Sequence, residues 1–397
     1  MNSNIQNLHH IASKSSRRII GLMSGTSFDG LDIAVCNFEG SGLGTNVKVS
    51  HFITKEYSAG FKEDLKSVFA KKTADLEKIV LLNAVIGRYY AELILECLKE
   101  WKISVCDIDL IASHGQTIFH APKHQHNIPG YPNATLQIGD ADHIAVKTEI
   151  ITLSDFRQKH IAAGGEGAPL AVYGDYLIFS SATENRIMLN IGGIANFTFL
   201  PSGHSTRFFS SDVGPGNTLM DQFVQLKYPG RYYDKNADLA SSGSVNEPFL
   251  AALLDHPFYK AEFPKTTGPE LFSLEYMNDA ISRSEQYNIS NEDTLATLAM
   301  FSAQGIIKAL TEAIKEKDEF EIYLSGGGMY NPLLVRNIEE HFRQKMKYTS
   351  DLGINPDAKE AVLFALLANE AVAGGNTAYG EHPGVPTISM GKISFPK

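Results

Sequence analysis

Residues 21–32 read Gly21-Leu-Met-Ser-Gly-Thr-Ser-Phe-Asp-Gly-Leu-Asp32, the most informative stretch of the chain. One apolar run, Ile19 to Met23, enters it, and a second, Leu31 to Phe38, leaves it. The pattern predicts a β-hairpin whose turn could bind a polyphosphate. Glycines let the backbone approach an anion, and hydroxyl side chains add donors. The carboxylates of Asp29 and Asp32 can hold the accompanying magnesium ion.

The turn differs from the two common nucleotide-binding loops. It lacks the lysine of the G-x-x-x-x-G-K-[ST] pattern, and a strand follows it where those loops lead into a helix. Taken alone, the stretch is equally consistent with a glycine-rich turn that has an ordinary Asp-Gly corner.

The composition predicts a globular protein without nucleic-acid or membrane partners. A chain of 397 residues suffices for two or three domains, and a hydrophobic fraction of 43% is typical of globular proteins. A formal net charge of -10 argues against a nucleic-acid surface or an anionic membrane. No apolar run reaches transmembrane length. Three cysteines without metal-ligand spacing indicate a reducing cytoplasm.

The order of predicted elements repeats once along the chain. In the first half, a β-meander precedes a helix from Leu76 to Glu100 and a strand that opens onto His114–Thr117. In the second half, strands flank the turn Gly192-Gly193, a helix covers Leu295 to Ile314, and a strand opens onto Ser325–Gly328. This order predicts an α/β fold of two similar lobes with a central cleft. In such folds ligands gather beyond the carboxyl ends of strands.

Several ordered motifs resemble those of the anhydro-N-acetylmuramic acid kinase family, within the actin, sugar-kinase and Hsp70 superfamily. The resemblance runs from about Ile20 to the C-terminus. The motifs that carry it are Gly21–Asp32, Ser113–Thr117, Leu136–Asp140, Asp155–Arg157, Gly164–Leu170, Asn190–Asn196, Asp212–Asn217, Ser325–Pro332 and Lys359–Ala365. It implies a duplicated actin-like, ribonuclease H-like fold. It also implies a Mg-ATP-dependent kinase that opens the 1,6-anhydro bridge of anhydro-N-acetylmuramic acid with water and phosphorylates O6.

The resemblance also assigns roles to individual residues. The ATP phosphates would contact Gly25, Thr26, Ser27, Phe28, Asp29, Gly30, Leu31 and Asp32, with Asp29 or Asp32 helping to place magnesium. A second phosphate turn would be Gly192 and Gly193, and the adenosine contact would be Ser325, Gly326, Gly327 and Gly328. The residues nearer the sugar would be His114, Gln116, Thr117, Asp212, Gly214 and Asn217.

The expected catalytic base is where this sequence departs from the family pattern. The family has Asp at the position of His160 and Gln at the position of Glu166. Three hypotheses follow: His160 is itself the base, Glu166 has taken over the carboxylate role, or the site is altered in substrate or weakened in chemistry. Asp155 and Arg157 are expected to pair structurally.

Two alternative functions share this fold. One is a kinase for a different anhydrosugar. The other is a non-kinase ATPase of the actin fold with a degenerate acceptor site, since fold does not fix function. A sugar substrate, a homodimer and a cytoplasmic location are expected from the resemblance and the composition.

The domain boundaries predicted from the sequence are as follows. Residues 1–16 are polar and form a flexible N-terminal tail. Residues 17–182 with 357–397 form lobe I, and residues 183–356 form lobe II, which includes a lid segment around Asn236 to Pro269. Closure of the lobes would expel bulk water.

Overall fold

The structure, a computed structural model, describes residues 2–314, 319–375, 377–380 and 384–397. The chain divides into two compact units. Unit 1 consists of Met1–Phe179 with Gly353–Lys397, and unit 2 consists of Ser180–Leu352.

The elements are numbered in chain order. The strands are β1 (Ser16–Ser24), β2 (Gly30–Glu39), β3 (Asn46–Glu56), β4 (Leu110–Ala121), β5 (Ala134–Ile138), β6 (Thr152–Ser154), β7 (Arg186–Ile191), β8 (Ile194–Leu200), β9 (Phe209–Pro215), β10 (Glu321–Ser325), β11 (Lys347–Tyr348) and β12 (Lys392–Ser394). The helices are α1 (Ser3–Ser13), α2 (Ala59–Val68), α3 (Leu76–Trp101), α4 (Lys123–His126), α5 (Ala141–Thr148), α6 (Phe156–Ala162), α7 (Ala171–Phe179), α8 (Thr218–Lys227), α9 (Glu247–Leu254), α10 (Leu274–Ser284), α11 (Asn291–Ala313), α12 (Pro332–Phe342) and α13 (Lys359–Ala373).

Unit 1 is built on one mixed sheet. Its strand order is β12-β6-β4-β1-β2-β3, with β5 paired to β4. Strands β1, β2 and β3 form an antiparallel meander, and β4 and β6 continue the sheet in parallel to β1. The predicted runs at the start of the chain are therefore confirmed as three consecutive strands.

Unit 2 repeats this arrangement with the strand order β11-β10-β7-β8-β9. Strands β7, β8 and β9 form the meander, and β10 and β11 are parallel to β7. Each unit thus has a strand after its long helix, β4 or β10, placed beside the first strand of its meander. The predicted duplication and the α/β fold class are confirmed.

The C-terminal helix α13 covers the middle of the unit 1 sheet at a very short distance. A Cβ atom at Gly21 of β1 would lie 1.9 Å from the carbonyl oxygen of Ala361 and 3.1 Å from the Cβ of Ala365. Only glycine leaves room for helix backbone at this point. Ala361 and Ala365, which face this strand, are fully buried.

The core of unit 2 surrounds α11, the one described helix that is long and apolar enough to cross a membrane. Of its most apolar window, 72% is buried inside the protein. It packs among Leu189 and Phe197 of the sheet and Phe249 of α9. The segment Asn236 to Pro269, expected to be a lid, thus contributes α9 side chains to this core.

The N-terminus differs from the flexible tail that the sequence predicted. Residues Ser3–Ser13 form α1, and the side chain of Asn2 accepts hydrogen bonds from the first turn. Ile11 is buried, and Asn4 Nδ2 donates to the Pro396 carbonyl at 3.0 Å. A cap, one apolar anchor and a contact with the C-terminal segment hold a helix that is too short to be stable alone.

Substituting Gly21 by alanine is expected to destabilise unit 1, because α13 must move away from β1 to admit the methyl group. We expect a loss of about 1–3 kcal/mol, the usual range for overpacking a core. Thermal and urea unfolding followed by circular dichroism measure it. Gly60 of α2, which has nothing within 4 Å of its Cβ position, supplies the matched control. Gly60→Ala should leave stability unchanged or raise it slightly. Equal midpoints for the two variants would contradict the close contact.

Candidate active-site residues in each unit

The predicted phosphate turn of unit 1 links β1 to β2. Thr26, Ser27 and Asp29 are exposed, so hydroxyl and carboxylate groups face solvent. Gly30 starts β2 where a Cβ would lie 2.4 Å from the Lys55 carbonyl oxygen, so a side chain there would push β3 away. The turn is therefore accessible to an anion from solvent, while Gly30 at its end is tightly packed against β3.

The buried side chain of Phe28 anchors the turn to the core of unit 1. Its backbone has φ of 59°, in the left-handed region that non-glycine residues rarely adopt. Its ring is buried and meets the Phe69 ring edge-on at 5.0 Å. Aromatic packing thus offsets a backbone cost of roughly 1–3 kcal/mol.

Gln116 braces the start of the same turn. It is fully buried on β4, its side-chain oxygen accepts from Ser24 Oγ, and its amide nitrogen donates to the Gly25 carbonyl at 3.3 Å. The Tyr57 hydroxyl donates to Ser24 Oγ at 2.7 Å. These bonds occupy the Gln116 amide, so in this unit it holds the phosphate turn. The motif residues His114–Thr117, expected to follow the strand, lie within β4 itself.

Asp32 lies near the end of the turn in an environment that disfavours its charge. Burial raises the pKa of its carboxyl group to about 6. The bond from Thr54 Oγ1 at 2.6 Å opposes this shift, and the nearby carboxylates of Glu360, Asp357 and Asp29 add to it. A cation bound beside Asp32 would relieve the crowding of negative charge.

Two motifs of unit 1, His114–Thr117, which was expected near the sugar, and the loop Gly164–Leu170, meet through Arg157. Its Nε donates to His114 Nε2 at 2.9 Å, and its Nη1 donates to the Gly167 carbonyl at 2.7 Å. Burial, and then the Arg157 charge, hold the pKa of His114 well below its usual range. The expected Asp155–Arg157 pair is wrong, because Asp155 forms its ion pair with Lys392. Thr117 is half-buried and accepts a bond from Gln137 Nε2 at 3.1 Å.

The two residues at the base position have different surroundings. His160 is completely buried on α6, and its Nδ1 accepts the Gly167 N–H at 2.9 Å. Burial, and then the Arg157 charge, lower the pKa of His160 to about 4. Glu166 is partly exposed, and its Oε1 lies 3.1 Å from His124 Nδ1.

Three glycine turns of unit 2 meet at one edge of its sheet. The N–H groups of Gly216 and Asn217 donate to the carbonyls of Gly193 and Gly192, both at 2.9 Å. Gly326, with φ of 81°, packs where a Cβ would lie 2.6 Å from Asn190 Oδ1. The sequence motifs at Gly192-Gly193, Asp212–Asn217 and Ser325–Gly328 are thus brought together.

Beyond the third of these turns, unit 2 has a cavity of about 490 Å³. Its walls include Met329 and Tyr330 after the glycines, Leu333 and Arg336 of α12, and Tyr348 of β11. Such a volume is in the range of small-ligand sites. No sequence motif predicts this cavity, because its lining residues come from separate parts of the chain: Ser241, Met329 to Glu339, and Lys345 with Tyr348.

Asp212 and Gly214 lie on β9 in unit 2. Burial raises the pKa of the Asp212 carboxyl group to about 6, and the bond that it accepts from the Thr267 N–H at 2.8 Å opposes that shift. Gly214 has φ of 133°, and a Cβ there would lie 2.8 Å from the Tyr259 hydroxyl. Asn217 is half-buried at the start of α8.

Metal-binding clusters are absent from the described residues. No group of three or more His, Cys, Asp or Glu side chains there could hold a metal ion. This does not weigh against magnesium bound with a nucleotide, since Mg²⁺ commonly takes one or two carboxylates and completes its shell with phosphate oxygens and water.

Comparison with known proteins identifies the family. The family model described as anhydro-N-acetylmuramic acid kinase matches residues 17–390. The anhydro-N-acetylmuramic acid kinase of Pseudoalteromonas atlantica is 54% identical over 400 residues, covering 100% of both chains. The protein of that name from Caldanaerobacter subterraneus subsp. tengcongensis is 38% identical, covering 98% of this chain and 99% of its own.

Among solved structures, the hexokinase of Schistosoma mansoni complexed with glucose aligns over 90% of this chain and 86% of its own, at 8% identity and a TM-score of 0.37.

The family model matches nearly the whole chain, and the relatives at 54% and 38% identity cover at least 98% of its length. The chain therefore belongs to the anhydro-N-acetylmuramic acid kinase family and is an ATP-using phosphotransferase.

Proposed function

We propose that this chain phosphorylates 1,6-anhydro-N-acetylmuramic acid at O6 while water opens the anhydro bridge, giving N-acetylmuramic acid 6-phosphate. The observation that carries the proposal is the full-length match to relatives named for this kinase activity. The exposed turn of unit 1 and the joined glycine turns of unit 2 support it, because phosphoryl transfer depends on positioning and charge neutralisation.

The nucleotide assignments follow the glycine turns. Gly25–Asp32 and Gly192-Gly193 contact the ATP phosphates, and Ser325–Gly328 contacts adenosine, next to the cavity at Met329 and Tyr330. The exposed hydroxyl groups of Thr26 and Ser27, and glycines that place no side chain on the main chain of these turns, suit an anion that lies close to the backbone.

Magnesium is assigned to Asp29 and Asp32. Burial, and after it the neighbouring carboxylates, raise the pKa of Asp32, an environment that suits a divalent cation, and Asp29 is exposed at the same turn. When bound, magnesium neutralises charge on the phosphates. The chain's own contribution is to hold the turn rigid through Phe28 and Gln116.

In the reaction, water attacks the anomeric carbon and the bond from that carbon to O6 breaks. O6 then takes the γ-phosphoryl group, and ADP leaves. His114, Thr117, Asp212, Gly214 and Asn217 are assigned to the sugar side. Gln116 acts there indirectly, through its bonds to the phosphate turn.

Isotope-labelled water tests this function. The purified protein with ATP, magnesium and the anhydro sugar in H₂¹⁸O should place ¹⁸O on the C1 hydroxyl of the product and none in its phosphoryl group, as read by fragment mass spectrometry. Parallel reactions use an anhydro-N-acetylglucosamine without the lactyl group and a simple anhydrohexose. Faster turnover of either would favour the different-anhydrosugar alternative. ADP release that no sugar accelerates would favour a non-kinase ATPase and defeat the proposal.

The location and assembly of the protein extend the proposal. An ATP-dependent sugar kinase works where ATP is kept, so we place it in the cytoplasm.

We also propose a homodimer, with an exposed apolar face of α3 in unit 1 as part of its interface. Leu76, Val80, Leu81 and Val85 form this face and are 47% to 72% exposed. Clustered exposed apolar side chains of this kind commonly mark protein interfaces.

The double variant Val80→Glu/Leu81→Glu is expected to convert the dimer to a monomer, because charges cannot be buried unpaired in an apolar interface. Size-exclusion chromatography with light scattering at micromolar protein measures the mass. The control is Leu226→Glu on α8 of unit 2, a leucine that is 57% exposed. A monomeric wild-type protein would refute the dimer, and a dimeric double variant would refute the α3 face.

Asp32→Asn should separate activity from stability. Turnover should fall strongly, because a carboxylate assigned to magnesium is lost. Above pH 6 the variant should be more stable than the wild type, by up to about 1 kcal/mol after solvent screening. At that pH the wild-type Asp32 carboxyl group is ionised in a buried environment that disfavours its charge.

This gain should shrink as the pH falls from 6 toward 3.8, where the wild-type carboxyl group becomes protonated in both folded and unfolded chains. Thermal unfolding at several pH values measures it, and exposed Asp107→Asn is the control. A gain that does not depend on pH would contradict the environment described for Asp32.

A further inference from the structure

His160 is held in a form that cannot accept a proton from water. Its Nδ1 already accepts the Gly167 N–H, so the neutral ring carries its hydrogen on Nε2. The ring has no exposed surface. A Cβ on Gly165 would lie 2.2 Å from its Cε1, and the Tyr173 ring meets it edge-on at 5.7 Å. Burial, and after it the Arg157 charge, lower the pKa of His160 to about 4, which agrees with a neutral ring near pH 7.

The loop Gly164–Gly167 is fixed at several points, and His160 supplies one of them. Besides the bond to His160, the Gly167 carbonyl accepts from Arg157 Nη1 at 2.7 Å. On the other side, Asn133 Nδ2 donates to the Gly165 carbonyl at 3.1 Å. Glu166 lies between these two anchored glycines, so its backbone position is well defined.

The Glu166 side chain, in contrast to His160, reaches solvent. It is 39% exposed, and its Oε1 lies 3.1 Å from Nδ1 of His124. His120 lies close to both Arg157 and Glu166. The charges of these two groups act on its imidazole ring in opposite directions. Since Arg157 also bonds to His114, the anchored loop is tied directly to the sugar-side motif of β4.

Two other acidic side chains near this loop in unit 1 form ion pairs. Asp155 pairs with Lys392, and Asp175 is buried with Lys359 Nζ at 2.8 Å. Glu360 is exposed and adds negative charge beside both Asp32 and Arg157. Glu360 and Glu166 are thus both accessible carboxylates here, and Glu166 alone belongs to the anchored loop Gly164–Gly167.

We propose that Glu166, hydrogen-bonded to His124, is the catalytic base that takes the proton from the attacking water, and that His160 is a positioning residue that fixes the loop presenting Glu166. The inference rests on the proposed function and names the proton acceptor that the reaction needs. A histidine and a glutamate at these two positions then act as a matched pair of changes from the Asp and Gln of the family pattern.

The proton and bond changes balance as follows. Water donates one proton to the Glu166 carboxylate as its oxygen bonds to the anomeric carbon, and it keeps the other proton as the new C1 hydroxyl. The bond from C1 to O6 breaks, and its electron pair goes to O6. O6 bonds to the γ-phosphorus, and the bond from that phosphorus to the bridging oxygen of ADP breaks. Glu166 then releases its proton to solvent, a transfer for which the neighbouring His124 ring offers a route.

The decisive comparison is Glu166→Gln against His160→Asn. Glutamine keeps the size of Glu166 but cannot take a proton, so kcat should fall about 10²–10⁴-fold, with KM for ATP within about threefold of wild type. Asparagine at 160 still offers an oxygen to the Gly167 N–H, so kcat should stay within about tenfold. His124→Ala should lower kcat about tenfold, because the carboxylate loses its orienting partner. Circular dichroism and ATP affinity confirm that each variant is folded.

The outcomes separate this inference from the function on which it rests. A wild-type protein that shows no turnover of any anhydrosugar defeats the proposed function itself. If the wild type is active and Glu166→Gln keeps its kcat, Glu166 is not the base. A folded His160→Asn that loses as much kcat as Glu166→Gln overturns the positioning role. Wild-type kcat in His124→Ala overturns the pairing, and loss of kcat in Glu360→Gln but not in Glu166→Gln assigns the base to Glu360.

Discussion

The contact between Gly21 and the Ala361 carbonyl is the constraint on which unit 1 depends. It lets α13 lie directly on β1, and β1 is the central strand from which the phosphate turn leaves. Any larger side chain would separate the helix from the sheet and displace the first residues of the turn. The glycine is therefore needed for packing, although the sequence presents it as the start of a phosphate motif.

Local sequence patterns were sufficient to predict the repeated sheet and helices. The meander β1–β3 and the helices α3 and α11 follow from the spacing of apolar residues, which is fixed by the period of each element. The membership of α1 in unit 1 could not be predicted, because it depends on a single buried isoleucine and a contact with the far end of the chain. The inclusion of His114–Thr117 in β4 could not be predicted either, because glycine and polar residues in a sequence indicate a loop.

Among the site residues, too, some could be predicted from local sequence motifs and others depend on tertiary contacts. The glycine turns were visible as motifs because close backbone approach requires that residue type. The roles of Gln116, Arg157 and His160 were not visible, because each depends on partners that tertiary structure supplies. His160, at a position expected to be catalytic, thus makes a structural hydrogen bond to the loop that carries Glu166. Distinguishing a structural from a catalytic histidine requires the hydrogen-bond pattern of the ring nitrogens.

Unit 1 is assembled from the two ends of the chain, with all of unit 2 encoded between them. During synthesis, the groove beside Gly21 therefore emerges early and stays without its helix until almost the whole polypeptide has been translated, on the order of tens of seconds later. Unit 2, by contrast, is one uninterrupted stretch that is complete before α13 leaves the ribosome. Vectorial synthesis thus allows unit 2 to fold first, although it is encoded second, and the turn between β1 and β2 gains the support of α13 last.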